Sequence, residues 1–140
     1  MNAPERHLIW FLRFTAVILL AALPAVVMPS AWMRTISVWL GLGGLPELPL
    51  VEYLARSLSG LYAMAGVFCW FVSGDVPRYL PLLRFVIPVA VVFGAMLIVL
   101  DVVIEMPTGW IVCEAASIVL WTAVYWWLVR AASKPASQAA

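Results

Sequence analysis

Four stretches of this sequence, residues 8–28, 54–72, 82–100 and 110–129, are apolar over the length a helix needs to cross a hydrocarbon core, about 20 residues. No other feature restricts the fold so tightly. In hydrocarbon every backbone amide must be satisfied by the chain itself, and a helix does this within one segment. Composition points the same way, with 66% hydrophobic and 11% charged residues in 140 and a mean hydropathy of +1.06. That leaves too little polar surface to cover a soluble domain of this size. The sequence therefore predicts an all-α fold, a four-transmembrane-helix antiparallel bundle forming one domain over residues 1–140. The connections at 73–81 and 101–109 are short and set consecutive spans side by side, whereas 29–53 is long.

Loop charge orients the spans, because Lys and Arg are held on the cytoplasmic side during insertion. With the N-terminus inside, the cytoplasmic set is Arg6, Arg13, Arg78, Arg84, Arg130 and Lys134, with Glu5 and Asp75. The outer set is Arg34 and Arg56, with Glu47, Glu52, Asp101, Glu105 and Glu114. This six-to-two division of basic residues predicts that both termini are cytoplasmic. Trp10, Trp70, Trp126 and Trp127 then fall near inner ends and Trp32, Trp39 and Trp110 near outer ends, where indole rings prefer to sit. Trp121 alone is mid-span. The first stretch also has the layout of a secretory signal peptide, with Arg6 and Arg13 ahead of an apolar run and small residues, Ser30 and Ala31, after it. Met28 and Pro29 fit the small-residue rule of a cleavage site poorly, so the expectation is an uncleaved first span.

Within the long connection, Trp32, Met33, Ile36, Trp39 and Leu40 recur at helical spacing while Ser30, Arg34 and Ser37 face away. That pattern predicts a short amphipathic helix over 30–41 lying in the membrane interface, with Ser30 as N-cap and Gly41, Gly43 and Gly44 ending it. It serves either as a packing lid or as a gate above a lateral opening. Pro49 falls near the first turn of the second span, where proline is tolerated.

The chemistry on offer is concentrated at one depth. Glu52 and Arg56 are four apart on one helix face and can pair. Ser59, Ala63 and Gly66 continue that face as small residues, the kind that admit a close neighbour. Ala90, Gly94 and Asp101 share a face of the third span, and Glu114 is followed on its face by Ser117, Trp121 and Tyr125. Glu114 lies about 7 Å inside the membrane boundary at ~1.5 Å per residue, near the level of Asp101 and Arg56. Glu52, Arg56, Asp101 and Glu114 are thus the candidate cluster, with Ser59, Ser117, Trp121 and Tyr125 as candidate pocket wall. One reading is a staple in which Arg56 forks between Asp101 and Glu114. The other is a site, since one arginine cannot satisfy three acids and an unmatched carboxylate can carry a proton or bind a cationic or hydroxylated ligand. Glu47 and Glu105 are expected to be solvated.

Other features carry less. The formal charge of +1 from 8 Lys+Arg and 7 Asp+Glu offers no basic excess for nucleic acid. Two cysteines and one histidine make neither a disulfide framework nor a zinc or haem site, so no cofactor or metal is expected. Cys69 and Cys113 differ in depth by roughly 15 Å at ~1.5 Å per residue, beyond disulfide reach. His7 reads as an interfacial anchor, and Asp75, Arg78 and Tyr79 as a local ion pair and anchor. Phosphate loops, nucleophile elbows and zinc-hydrolase motifs are not found in the sequence.

Glu52-Tyr53-Leu54-Ala55-Arg56, Ser59, Leu61-Tyr62-Ala63 and Gly66, followed by Asp75, Arg78-Tyr79, Pro81, Gly94, Asp101, Met106-Pro107 and Glu114, together resemble a group of small uncharacterised four-span bacterial membrane proteins over residues 50–115. In length and layout the chain is also distantly similar to the DoxX-like group, whose members are often associated with membrane oxidoreductase complexes. The resemblance implies a bacterial inner-membrane protein and supplies no catalytic residue. The expected function is a non-catalytic accessory or assembly subunit, with the lipid bilayer and other membrane subunits as partners. The alternative is a binder or transporter of a small hydrophobic or proton-linked solute, and a third reading is an enzyme on a lipid-soluble substrate.

Overall fold

The computed structural model describes residues 3–41, 43, 44, 46 and 48–133; the expectations for Glu47 and Lys134 lie outside them. The described residues fold into six helices: α1 (Ala3–Leu20), α2 (Leu23–Val27), α3 (Ser30–Trp39), α4 (Pro49–Val72), α5 (Val76–Val103) and α6 (Thr108–Ala132). Four helical segments, Ala3–Val27, Pro49–Val72, Val76–Val103 and Thr108–Ala132, are long and apolar enough to cross a membrane. Even the shortest, at 24 residues, is about 36 Å long at ~1.5 Å per residue. Each extends past the apolar stretch that announced it, because a helix continues into polar flanks until a cap or a proline stops it. At α4 the start moves back to Pro49, where a proline at the first helical position loses no bond and Glu52 in the first turn suits the helix dipole.

The first segment is not one continuous helix. Pro24 has no N–H, and its ring crowds the carbonyl of Leu20. Ala21 and Ala22 accordingly close tighter turns, with Ala21 N–H to Ile18 O at 3.2 Å and Ala22 N–H to Leu19 O at 3.2 Å. α2 ends at Met28, whose extended backbone (ψ 150°) leads through Pro29 into α3.

Two compact units divide the chain, one from residues 1–11 with 73–140 and one from 12–72. In the 12–72 unit α2 packs on α4, and the C-terminal half of α1 meets α4 at Gly66, where a Cβ would lie 2.9 Å from Ala16 O and 3.0 Å from Leu20 N. α3 is amphipathic, but Pro29 is its N-cap and Ser30 its first helical residue. The Ser30 hydroxyl is therefore free for another task. Ser37 is buried and bonds the Gly43 carbonyl, while Trp32, Ile36 and Trp39 stand exposed, so the polar stripe faces the protein and the apolar stripe faces out. Gly41 and Gly43 take positive φ (75° and 79°) just beyond the end of α3, a conformation open to glycine at little cost.

In the other unit α5 packs on α6. Gly94 lies against Ile118, Arg84 Nε donates to Ser133 Oγ at 3.0 Å, and the buried Tyr125 hydroxyl donates to Leu83 O at 2.7 Å. Tyr125→Phe should lower stability by about 1 kcal/mol, the net value of such a bond, read as a small drop in melting temperature. Asp75 caps α5 by accepting the Arg78 backbone N–H at 3.3 Å. The Arg78 guanidinium instead lies over the Tyr79 ring at 5.7 Å, in place of the expected ion pair. α5 ends in a paired closure, Met106 N–H to Asp101 O at 3.0 Å and Glu105 N–H to Val102 O at 3.3 Å, with Glu105 at φ 56°. This is the Schellman geometry, whose left-handed position is usually a glycine.

Candidate functional site

Glu52 and Arg56 do pair. Arg56 Nε and Nη2 both donate to Glu52 Oε1, at 3.1 and 2.7 Å. The remaining bonds of Arg56 go to backbone, from Nη1 to Val26 O at 2.6 Å and from Nη2 to Met28 O at 3.0 Å. Both acceptors lie at the C-terminal end of α2, where the last carbonyls of a helix have no partner within it and carry the negative end of its dipole. Ser30 Oγ closes the arrangement, donating to Glu52 Oε1 at 2.7 Å. Arg56 thus clasps α4 to the α2–α3 corner. A pocket of about 230 Å³ opens beside the clasp, with Arg34 and Glu52 as its charged lining.

Asp101 and Glu114 come together in the other unit. Asp101 sits in the last turn of α5 and is 8% exposed, and Glu114 lies in the second turn of α6. The two acids are neighbours there. Glu114 Oε2 also accepts the Trp110 indole N–H at 2.6 Å, a bond across one helical turn. Asp101 Oδ2 is buried and has no hydrogen-bond partner among the described residues. Buried polar atoms rarely go unpaired, which makes this oxygen the most conspicuous polar feature of the fold.

Of the expected pocket-wall residues, the two serines bond back within their own helices and the two aromatics meet Phe11. Ser59 Oγ bonds back to Ala55 O at 2.9 Å and Ser117 Oγ to Cys113 O at 2.7 Å. Phe11 lies on Trp121 at 5.0 Å and on Tyr125 at 6.1 Å. The larger opening is an apolar groove of about 430 Å³ between α5 and α6, lined by Ile87, Val91, Ala95, Ile98, Ile118, Val119, Thr122, Ala123 and Trp126. Among the described residues no group of three or more His, Cys, Asp or Glu side chains is placed to hold a metal ion, and Cys69 and Cys113 are free thiols.

Sequence reasoning missed Trp110, although its spacing of four from Glu114 was the available signal. It also missed Ser30 as a partner of Glu52 and the carbonyls of Val26 and Met28, which no side-chain pattern announces. No family model, curated protein or solved structure matches the chain.

Proposed function

We propose that this chain is a multi-pass integral protein of the bacterial inner membrane that acts as a non-catalytic accessory or assembly subunit, receiving an apolar helix of a partner in the α5–α6 groove. The groove carries this reading. Ala95, Thr122 and Ala123 are small members of its lining beside the branched Ile87, Val91, Ile98, Ile118 and Val119, and small residues let a second helix approach closely in lipid. The four long apolar helices and the resemblance to small four-span bacterial proteins, DoxX-like in layout, support the membrane setting. An orientation with both termini cytoplasmic is supported by the loop charges and by three arginines seated over rings at the ends assigned inward: Arg13 over Trp70 at 5.5 Å, Arg78 over Tyr79 at 5.7 Å and Arg130 over Trp126 at 5.2 Å.

Native mass spectrometry of protein extracted gently from its own membrane should show the 15.4 kDa chain travelling with a stoichiometric protein partner. Ala95→Trp or Ala123→Trp fills the groove and should release that partner without loss of helix content. A chain that travels alone overturns the accessory role, and a partner that survives both substitutions removes the groove as its seat.

A second reading, a binder or transporter of a small solute, is favoured by the unpartnered oxygen of Asp101 beside Glu114. Asp101→Asn and Glu114→Gln should then leave a folded protein that has lost a co-purifying small molecule.

A further inference from the structure

We propose that the pocket beside the Arg56 clasp binds the headgroup of a phospholipid that carries a primary amine, with the phosphate at Arg34 and the ammonium at Glu52. A lipid as the source rests on the membrane setting proposed above; the partner subunit has no part in it. The pocket lies within the 12–72 unit, where the start of α3, the start of α4 and Leu48 meet. Its volume of about 230 Å³ is below the ~300 Å³ at which sites for whole drug-sized molecules begin. It has room for a headgroup and none for acyl chains.

The charges select the ligand. Arg34 and Glu52 bring opposite signs to one small lining, which suits a group that itself carries both. Glu52 is also used unevenly. Ser30 Oγ, Arg56 Nε and Arg56 Nη2 all donate to its Oε1, and no hydrogen bond among the described residues reaches its Oε2. An ionised carboxylate accepts at both oxygens and donates at neither, so the capacity left on Oε2 calls for a donor. A primary ammonium brings three N–H groups, and a trimethylated one brings none. Arginine suits the phosphate, because its planar donors match phosphate oxygens two at a time. Both helices begin at this pocket, and the positive ends of their dipoles add to the attraction.

The surroundings favour a lipid over a free zwitterion. Met33, Leu48 and Val51 add apolar lining, and Trp32, Ile36 and Trp39 stand exposed along α3. A free solute has no use for that stripe, whereas acyl chains attached to a headgroup in the pocket have an apolar surface beside them to lie on.

The test is native mass spectrometry of the full chain in detergent, titrated in turn with phosphatidylethanolamine and phosphatidylcholine of identical acyl chains and with free phosphoethanolamine. The native chain should hold one phosphatidylethanolamine about tenfold more tightly than phosphatidylcholine, the scale of one charged hydrogen bond, and should hold free phosphoethanolamine more weakly than the amine lipid. Glu52→Gln keeps an amide oxygen for Ser30 and Arg56 but turns the second acceptor into a donor, so it should bring phosphatidylethanolamine down to the level of phosphatidylcholine. Arg34→Gln takes no donor from the clasp and should weaken both lipids. Equal retention of the two lipids by the native chain, a preference that survives Glu52→Gln, or affinities unchanged in Arg34→Gln overturn the site. Free phosphoethanolamine held as tightly as the lipid makes the ligand a soluble zwitterion and overturns the lipid assignment. A chain without a protein partner that still selects the amine lipid removes the accessory role and leaves the pocket standing; a partnered chain with no such preference does the reverse.

Discussion

Arg56→Ala should produce a larger loss of stability than the removal of any other charged side chain among the described residues. The Arg56 side chain is 28% exposed and its guanidinium makes four hydrogen bonds, two of them to the carbonyls of Val26 and Met28. A hydrogen bond from a charged donor contributes about 1.5–3 kcal/mol, and in this corner the two backbone bonds are the part least weakened by solvent. Removing them leaves carbonyls at the end of α2 without a donor, so a loss of about 3 kcal/mol or more is expected. Arg56→Lys should recover only part of it, because one ammonium cannot reproduce the planar fork that reaches Glu52, Val26 and Met28 together. Glu52→Gln should be the mildest of the three, since an amide oxygen still accepts from Ser30 and Arg56. Thermal unfolding in nanodiscs checks the order, and an Arg56→Ala protein that melts with the wild type would show that the clasp contributes nothing.

The reason this clasp was only half legible is physical. The pairing of Glu52 with Arg56 follows from a spacing of four on a helix, and so would the bond from Trp110 to Glu114. Acceptors such as Val26 O and Met28 O are backbone atoms that become available only because Pro24 breaks the first segment and α2 ends at Val27. Apolar length announced four long helices, but it carried no information about that break. Likewise Glu105 at φ 56° occupies a position where glycine is the usual signal, so the stop of α5 had no sequence marker. Small residues were more informative. The Ala63 and Gly66 face of α4 and the Gly94 and Asp101 face of α5 are the faces the structure buries, because a small side chain has the same consequence for helix approach whatever its surroundings. The proximity of Asp101 to Glu114 was legible as a shared depth. The missing donor was not, since it depends on what every neighbouring side chain does instead.

Two glycines of α4, six residues apart, should respond in opposite senses to the same substitution. At Gly60 an added Cβ meets nothing within 4 Å, so Gly60→Ala should stabilise the protein by about 1 kcal/mol through the lower entropy cost of ordering alanine in a helix. At Gly66 the added Cβ would stand 2.9 Å from Ala16 O and 3.0 Å from both Leu20 Cγ and Leu20 N. Two of these atoms are backbone of α1, and a backbone cannot turn aside as a side-chain tip does. The helices must therefore separate at their closest approach, losing dispersion contacts along the Ala16 and Ala63 seam, both of which are at most 6% exposed. Overpacking of this kind costs about 1–3 kcal/mol and outweighs the helix-propensity gain, so Gly66→Ala should melt lower than the wild type and Gly66→Val lower still. The paired comparison separates packing from propensity, which is common to both sites. If Gly66→Ala and Gly60→Ala raise the melting temperature equally, α1 and α4 do not meet at Gly66 as described.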